Sequence, residues 1–179
     1  EQKFVGGMVA STVPTFMQHK QSESSFIGGG ASAWSDAATV IPWEVYLHTG
    51  DATILKHQYQ SMKDWVDWII AQDEKSGGHR LWTVGFHFGD WLALDGPVEG
   101  GVMGGTDTGL LASAYYRLST NILSKSAKVL GYDGDAAYYG ERSEAVKKAI
   151  QQEYFSANGR STIGTQTAHV VALHFDLVE

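Results

Sequence analysis

The chain has 179 residues, of which 43% are hydrophobic and 12% aromatic, and its formal net charge is -7. This length and apolar content suffice for one domain with a buried core and exclude a disordered segment. The negative charge and the absence of a basic run argue against nucleic-acid and acidic-membrane partners. The absence of cysteine excludes disulfides and thiolate metal sites, and no apolar run approaches the roughly 18 residues of a membrane-spanning helix.

Neither end of the chain has the pattern of a complete protein. The start, Glu1-Gln-Lys-Phe-Val-Gly-Gly, has no initiator methionine and no signal-peptide pattern, and the last residues, 173–179, stop inside an apolar pattern. We therefore expect an internal piece of a longer protein. The sequence leaves cytoplasm and export both open as its location.

The first 35 residues are predicted to be irregular, because glycines and a polar stretch interrupt them. Ser35 or Asp36 then has the side chain of a helix N-cap, and the helix is predicted to run to about Thr49, where Gly50 supplies the C-terminal stop. Nearly all sides of this helix are apolar, which favours a helix buried on most sides.

Four more segments follow. Residues 51–73 are predicted to form an amphipathic helix that Asp51 caps, and residues 106–130 a weakly charged helix that Gly131 closes. Residues 135–155 are predicted to form a helix with charges on one side, and residues 165–177 form a mostly apolar segment. Alternating buried and amphipathic helices predict an all-α fold of antiparallel pairs with inner and outer members, a toroid or a solenoid. The lack of a fixed sequence period favours the α/α toroid.

The connection 74–105 differs from the short turns elsewhere. It is rich in glycine and also holds Trp82 and Trp91. A connection of this length in a compact domain is usually functional or disordered. Its aromatic residues favour the functional alternative.

The stretch Trp34-Ser-Asp-Ala-Ala-Thr-Val-Ile-Pro-Trp43 combines an acid with an indole. Asp36 and Trp43 are two helical turns apart, so they project from nearly the same face, about 10 Å apart along the axis. Pro42 removes a backbone donor and predicts a kink or a freed acceptor. An indole can cover the apolar side of a pyranose while a carboxylate binds its hydroxyls. The alternative is that Asp36 only caps the helix and Trp43 only packs.

The string Phe88-Gly-Asp-Trp-Leu-Ala offers a second acid and indole, Asp90 and Trp91, and Gly89 allows a close backbone approach. Two such units in one domain favour a carbohydrate site. Hydrolysis of a glycosidic bond with inversion normally needs two carboxyl groups roughly 6.5 to 9.5 Å apart. Asp36 and Asp90 are one possible pair.

Other motifs indicate neither a cofactor nor a metal. Glu44 and His48 stand four residues apart, but no third ligand is evident. Residues 104–107 precede a helix without the lysine of a phosphate loop, so we interpret them as a cap. No nucleophile elbow is present. We predict no cofactor and no metal site.

Several strings together resemble the catalytic domain of bacterial α-L-rhamnosidases, glycoside hydrolase family 78. In chain order they are Trp34-Ser-Asp-Ala-Ala-Thr-Val-Ile-Pro-Trp43, Tyr59-Gln-Ser-Met-Lys-Asp-Trp65-Val-Asp-Trp-Ile, Phe88-Gly-Asp-Trp91-Leu-Ala, Thr106-Asp-Thr-Gly-Leu-Leu-Ala-Ser-Ala-Tyr-Tyr and Thr165-Gln-Thr-Ala-His-Val-Val-Ala-Leu. The ordered set covers about residues 34 to 177 and is more specific than any one motif.

The resemblance implies an (α/α)6 toroid that hydrolyses terminal α-linked L-rhamnose with inversion, so the expected partner is a rhamnosylated glycoside or oligosaccharide. It implies that Asp36 and Trp43 help form the rhamnose pocket, that Trp91 supplies an aromatic wall, and that Asp90 lies beside it as a weaker candidate. These four residues are carried over as substrate-binding residues.

This sequence departs from the family where the proton-transfer residues belong. It lacks the motif that carries the family's general acid, and it ends before the general base. We therefore expect no catalytic residue within residues 1–179, which form part of a toroid with roughly five of its twelve helices and need the remainder of the parent chain. Such a piece is expected to be inactive alone and to aggregate or pair with another chain, because its inner helices expose apolar faces.

Two alternatives stay open. One is another α/α-toroid glycosidase or glycan lyase whose acids are among Asp36, Asp90 and Asp95. The other is a non-catalytic helical scaffold or carbohydrate-binding domain in which the tryptophans form core or a lectin-like surface.

Overall fold

The computed structural model describes residues 2–12 and 29–178. A short 3-10 helix, Gln2–Val5, precedes five α-helices: α1 Ala37–Thr49, α2 Thr53–Lys75, α3 Thr108–Leu130, α4 Asp133–Tyr154 and α5 Gln166–His174. Within the described residues there is no strand, only the isolated bridges Trp91 to Met103 and Phe155 to Ser161. The all-α class and the order of the helices are confirmed. Residues 13–28 of the predicted irregular segment lie outside the described residues.

The helix ends follow the capping residues of the sequence. The Asp107 carboxylate accepts a hydrogen bond from the Leu110 amide at 2.8 Å, so the residues before α3 form a cap, as predicted. Gly50 and Gly131 close α1 and α3 in the left-handed conformation. Asp51 lies one residue before the N-cap of α2 and accepts from the Thr53 amide.

Side-chain contacts fix the direction of the inner helices. Asp36, before α1, bonds Ser119 on α3, and Trp43 further along α1 lines a cavity with Lys125 further along α3, so α1 and α3 are parallel. The hydroxyls of Thr106 and Thr165, which precede α3 and α5, lie 2.7 Å apart. The three inner helices α1, α3 and α5 therefore begin at the same end of the molecule.

The outer helices α2 and α4 are also parallel to each other. The Tyr59 hydroxyl donates to Asp135 near the start of α4, while Arg142, further along α4, bonds Glu74 near the end of α2. Lys63 bonds the Tyr139 hydroxyl between these two contacts. Inner and outer helices thus alternate along the chain, as the hydrophobic pattern predicted.

Helix α3 lies in the middle of this layer and contacts all four other helices. Thirteen of its residues are buried, whereas only Thr39 and Pro42 are buried in α1. The prediction that α1 is buried on most sides is wrong for the structure described: Ile41 is 59% and Leu47 55% exposed. The reason is that, among the described helices, α1 packs mainly against α2 and α3, which cover only part of its surface.

Helix α1 continues through Pro42 without interruption. None of the helices described here is both long enough and apolar enough to span a membrane.

Candidate functional site

The connection between α2 and α3 folds onto the helical core. Trp82, His87 and Phe88 are 1%, 6% and 8% exposed, and the Trp82 amide donates to the Ser113 hydroxyl on α3. Burial of these rings anchors the first half of the connection against α2 and α3. The segment is ordered by its aromatic residues, as its composition indicated.

The second half of the connection positions Asp90 and Trp91. The Leu92 amide donates to the Val102 carbonyl, and Trp91 pairs with Met103 in an isolated bridge, so the chain doubles back on itself. The Thr106 hydroxyl donates to Asp90 Oδ2 at 2.8 Å. Asp90 is therefore tied to the residues that start α3, at the end where all inner helices begin.

Gly89 makes this arrangement possible. Its φ is +62°, and a Cβ atom there would lie 2.9 Å from the Thr108 methyl group. A larger residue would be strained in this backbone region and would also push against α3. The backbone at Gly89 therefore lies close to the first residue of α3.

Asp36 lies in the interior, with no exposed surface. Trp65 Nε1 and Ser119 Oγ donate to Oδ1 at 2.9 and 2.5 Å, and the Ala33 amide donates to Oδ2 at 2.8 Å. The three donors come from α2, α3 and the turn before α1. Burial raises the Asp36 pKa to about 6, although each of these hydrogen bonds lowers it.

This location does not fit the prediction that Asp36 itself contacts a sugar. A carboxylate without exposed surface is out of a ligand's reach, and its two oxygens already accept three hydrogen bonds from the protein. It does not act as the N-cap side chain of α1 either, because it makes no capping hydrogen bond. In this structure Asp36 connects α1 to α2 and α3.

Trp43 is partly buried beside Tyr46, with ring centroids 5.4 Å apart. It lines a cavity of about 270 Å³ between α1, α3 and the end of α5, together with Lys125 and His174. The spacing of seven residues does place Asp36 and Trp43 on the side of α1 that faces α3, as predicted. Asp36 is enclosed there, whereas Trp43 borders a cavity.

A row of aromatic rings joins the start of α1 to the connection. The Trp34 ring lies 4.6 Å from the Phe88 ring, which meets Trp91 edge-on at 5.5 Å and Phe86 edge-on at 5.1 Å. Phe88 is buried, while Trp34 is 52% and Trp91 36% exposed. We call Trp34, Phe86, Phe88 and Trp91 the aromatic row.

His87, the residue before Phe88, is held by two backbone groups and packs edge-on against Trp82. Its Nδ1 accepts from the Ser32 amide at 3.1 Å, and its Nε2 lies 3.1 Å from the Val84 carbonyl. An amide donor at Nδ1 requires the neutral ring with its proton on Nε2. Burial lowers the His87 pKa to about 4, which keeps that neutral form near neutral pH.

The sequence did not indicate which residues hold Asp36 and Asp90 in place. Trp65 and Ser119 fall within helical patterns that predicted only packing, and Thr106 was interpreted as part of a cap. Their role depends on contacts between distant segments, which no local motif records. Trp34 belongs to the motif that carries Asp36, but the motif does not show whether its ring is buried or exposed.

The described residues contain no group of three or more His, Asp or Glu side chains that could hold a metal ion. Glu44 and His48, which we considered as a ligand pair, form a weak contact at 3.8 Å on the exposed side of α1. Their positions give no support to a metal site.

Parallel inner helices beside an outer helical layer are the arrangement of an α/α toroid, and the connection that carries Asp90 and the aromatic row is tied to the start of α3. The family model of the bacterial α-L-rhamnosidase six-hairpin glycosidase domain matches residues 1–179. The chain belongs to this family, and its five helices form part of the toroid.

Similar proteins agree with this assignment. The chain is 37% identical over 157 residues to an α-L-rhamnosidase of Alteromonas sp. (strain LOR), a match that covers 86% of the chain and 16% of the relative. It is 32% identical over 180 residues to an α-L-rhamnosidase of Formosa agariphila, covering 99% of the chain and 18% of the relative. The chain thus spans less than a fifth of the length of these curated relatives.

Two solved structures share the fold. The Streptomyces avermitilis α-L-rhamnosidase complexed with L-rhamnose matches with a TM-score of 0.70 and 30% identity, over 85% of this chain and 13% of that one. The native α-L-rhamnosidase from Aspergillus terreus matches with a TM-score of 0.78 and 28% identity, over 99% of this chain and 20% of that one.

Proposed function

We propose that this chain is part of an inverting α-L-rhamnosidase, in which it supplies one side of the pocket for a terminal α-linked L-rhamnosyl residue. The observation that carries the proposal is the family match over residues 1–179, together with the likeness to a rhamnosidase structure that holds L-rhamnose. The substrate is a rhamnosylated glycoside or oligosaccharide.

Trp91 and Asp90 are the residues we assign to the sugar. The Trp91 face is partly exposed, and an indole face covers the apolar side of a pyranose. Asp90 accepts from Thr106 through one carboxylate oxygen, and an ionised carboxylate has further lone pairs for sugar hydroxyls. Thr106 in this proposal orients the Asp90 carboxylate.

Trp43 is the second indole that we assign to the substrate, from α1. It borders the cavity between α1 and α3, and its ring is supported by Tyr46. Asp36 acts from the interior by keeping the start of α1 in place against α2 and α3. The sugar therefore meets the indoles, while the Asp36 carboxylate positions the helix that carries Trp43.

The general acid and base come from residues outside this chain. Asp36 has no exposed surface from which to exchange a proton with a glycosidic oxygen or a water molecule. Inversion requires one carboxylic acid at the leaving oxygen and one carboxylate that activates water on the opposite face of the ring. This chain orients the sugar for those two groups.

The test compares this chain with the longest polypeptide that its gene encodes. We expect no turnover of 4-nitrophenyl α-L-rhamnoside by residues 1–179, and turnover by a polypeptide that includes the acid and the base. The first product anomer, followed by NMR, should be β-L-rhamnose. Robust turnover by residues 1–179 alone would contradict the proposal and make Asp90 a catalytic candidate.

Two variants of the longer polypeptide test the pocket assignment. Trp91→Ala should raise KM, because the stacking surface is lost, and Trp91→Phe should retain part of it. Tyr138→Ala is the matched control, since it removes another exposed aromatic ring, on the outer helix α4. An unchanged KM in Trp91→Ala would refute the assignment of Trp91.

A further inference from the structure

The turn before α1 and the connection between α2 and α3 both lead to residues that we assign to the sugar. The connection holds Asp90 and Trp91, and the turn, residues 31–36, runs into the helix that holds Trp43. Ser32 in the turn and His87 in the connection are 55 residues apart along the chain. The relative position of the two segments therefore depends on the contacts between them.

His87 makes a hydrogen bond that joins the two segments. Nδ1 of its ring accepts from the Ser32 amide at 3.1 Å, and the two residues are only 6% and 3% exposed. The next residue of the connection, Phe88, places its ring 4.6 Å from the Trp34 ring of the turn. Adjacent residues of the connection thus contact two residues of the turn, one through a polar bond and one through ring packing.

The His87 ring is fixed by other contacts as well. Its Nε2 lies 3.1 Å from the Val84 carbonyl, and the ring packs edge-on against Trp82, with centroids 4.5 Å apart. Trp82 is 1% exposed, and its amide donates to the Ser113 hydroxyl on α3. The connection and α3 therefore set the position of Nδ1, and Nδ1 sets where the Ser32 amide is held.

The turn needs such an acceptor because its backbone is strained. Ala33 has a φ of +70°, in the left-handed region that residues with a Cβ atom rarely adopt. Its amide donates to Asp36 Oδ2 at 2.8 Å, and the preceding amide, that of Ser32, donates to His87. Strained residues persist only where their surroundings hold them. Two side-chain acceptors hold this turn, one from the turn itself and one from the connection.

The geometry gives His87 no direct part in the chemistry. The ring is buried, and each of its two nitrogens already has a backbone partner. An amide donor at Nδ1 requires that this nitrogen carry no proton, so the proton lies on Nε2, towards the Val84 carbonyl. A phenylalanine could fill much of the same space, but it would offer no acceptor to the Ser32 amide.

We propose that His87 is a positioning residue for substrate binding, which holds the turn before α1 against the connection through the bond from the Ser32 amide to Nδ1. The proposal rests on the proposed rhamnosidase function. Loss of this bond lets the start of α1 shift relative to the connection, so that Trp43 and Trp91 no longer meet the sugar at their proper separation. Weaker binding of the sugar raises KM more than it lowers kcat.

Two substitutions of His87 differ in which ring nitrogen they replace. In His87→Asn the side-chain oxygen takes the place of Nδ1 and still accepts from the Ser32 amide. In His87→Gln the side-chain amide takes the place of Nε2 and leaves the Ser32 amide without an acceptor. Both variants lose the ring that packs against Trp82. Their comparison therefore separates the bond to Ser32 from the packing of the ring.

The assay uses the longest polypeptide encoded with this sequence and 4-nitrophenyl α-L-rhamnoside. We expect His87→Gln to raise KM about 3- to 10-fold, the size expected for one lost buried hydrogen bond, with kcat changed less than about twofold. His87→Asn should recover most of the parent's KM. Hydrogen–deuterium exchange of the peptide that covers residues 29–36 should become faster in His87→Gln and stay near the parent's rate in His87→Asn.

Val146→Ala is the control for general destabilisation. Val146 is fully buried on the outer helix α4 and belongs to neither segment. This variant should lower the free energy of unfolding and leave both KM and the exchange of residues 29–36 unchanged. A KM increase in Val146→Ala as large as that in His87→Gln would contradict the proposal, because any loss of core stability would then produce the effect.

Equal KM increases in His87→Gln and His87→Asn would overturn the proposal, since they would show that only the packing of the ring matters. An unchanged KM in His87→Gln would also overturn it, whether or not residues 29–36 exchange faster. If the unmodified polypeptide does not hydrolyse the rhamnoside, the proposed function itself is wrong, and the positioning role is refuted with it.

Discussion

Replacement of Asp36 by asparagine should change how the stability of this protein depends on pH. Asp36 is fully buried, and burial raises its pKa from 3.8 to about 6. Asparagine has nearly the same shape but does not ionise. The difference between the two unfolding free energies at each pH therefore isolates the charge on Asp36 from every other titrating group.

The sign follows from linkage. Because the folded-state pKa of Asp36 lies above its unfolded value, the folded protein binds the proton more tightly. The stability from this group is complete below the unfolded pKa of 3.8 and is lost as the pH rises through about 6. A pKa difference of about two corresponds to a loss of about 3 kcal/mol between pH 4 and pH 7.

Asparagine also has a cost that does not depend on pH. Its carbonyl oxygen can accept from Trp65 and Ser119, but its NH2 group then faces the Ala33 amide, so two donors oppose each other. An unsatisfied buried donor costs about 1 to 3 kcal/mol. We expect Asp36→Asn to be clearly less stable than the parent at pH 4 and of similar or greater stability at pH 7.

The assay is urea denaturation followed by tryptophan fluorescence at one-unit pH intervals between 4 and 8, on the polypeptide that carries this chain. The matched control is Asp51→Asn, because Asp51 is exposed and its hydrogen bonds with Thr53 lower its pKa. Asp51 stabilises the fold above pH 3.8, so its profile has the opposite slope. Parallel profiles for the parent and Asp36→Asn would refute the reasoning that burial dominates at Asp36.

Two substitutions test other parts of the framework. Gly89→Ala should destabilise the loop by about 1 to 3 kcal/mol and raise KM for aryl rhamnosides, because the backbone is in the left-handed region and the new methyl group would meet Thr108 at 2.9 Å; a thermal unfolding temperature equal to the parent's would contradict this. Leu123→Ala should cost about 2 to 5 kcal/mol in urea denaturation, since Leu123 is fully buried on α3. Leu173→Ala removes the same atoms at a 73% exposed site and should cost far less, and similar losses for both would show that α3 is not the central helix.

The helices could be predicted from the sequence because their signals are local. The spacing of apolar residues predicted α2, and single residues such as Asp107, Gly50 and Gly131 predicted where helices begin or end. The exposure of α1 could not be predicted in the same way. An apolar helix pattern indicates that the helix needs packing partners. It does not show whether those partners lie within the described residues or elsewhere in the polypeptide.

The candidate site was predictable in part for the same reason. The chemistry of Asp90 and Trp91 and the close approach at Gly89 follow from six consecutive residues. The location of Asp36 depends on Trp65 and Ser119, which are 29 and 83 residues away along the chain. The residue type indicated a possible hydroxyl acceptor, and only the fold showed that the carboxylate is buried and already accepts three hydrogen bonds.

The contacts of Asp36 couple the fold to the proposed site. One oxygen accepts from α2 and α3, and the other accepts from the turn that presents Trp34. If either helix shifts, the carboxylate moves and the strained turn at Ala33 loses its restraint. The packing of α2 and α3 is thereby connected to the turn that carries Trp34. This explains why a costly buried acid occupies a position where an apolar residue would pack with less desolvation, since an apolar residue would restrain neither the helices nor the turn.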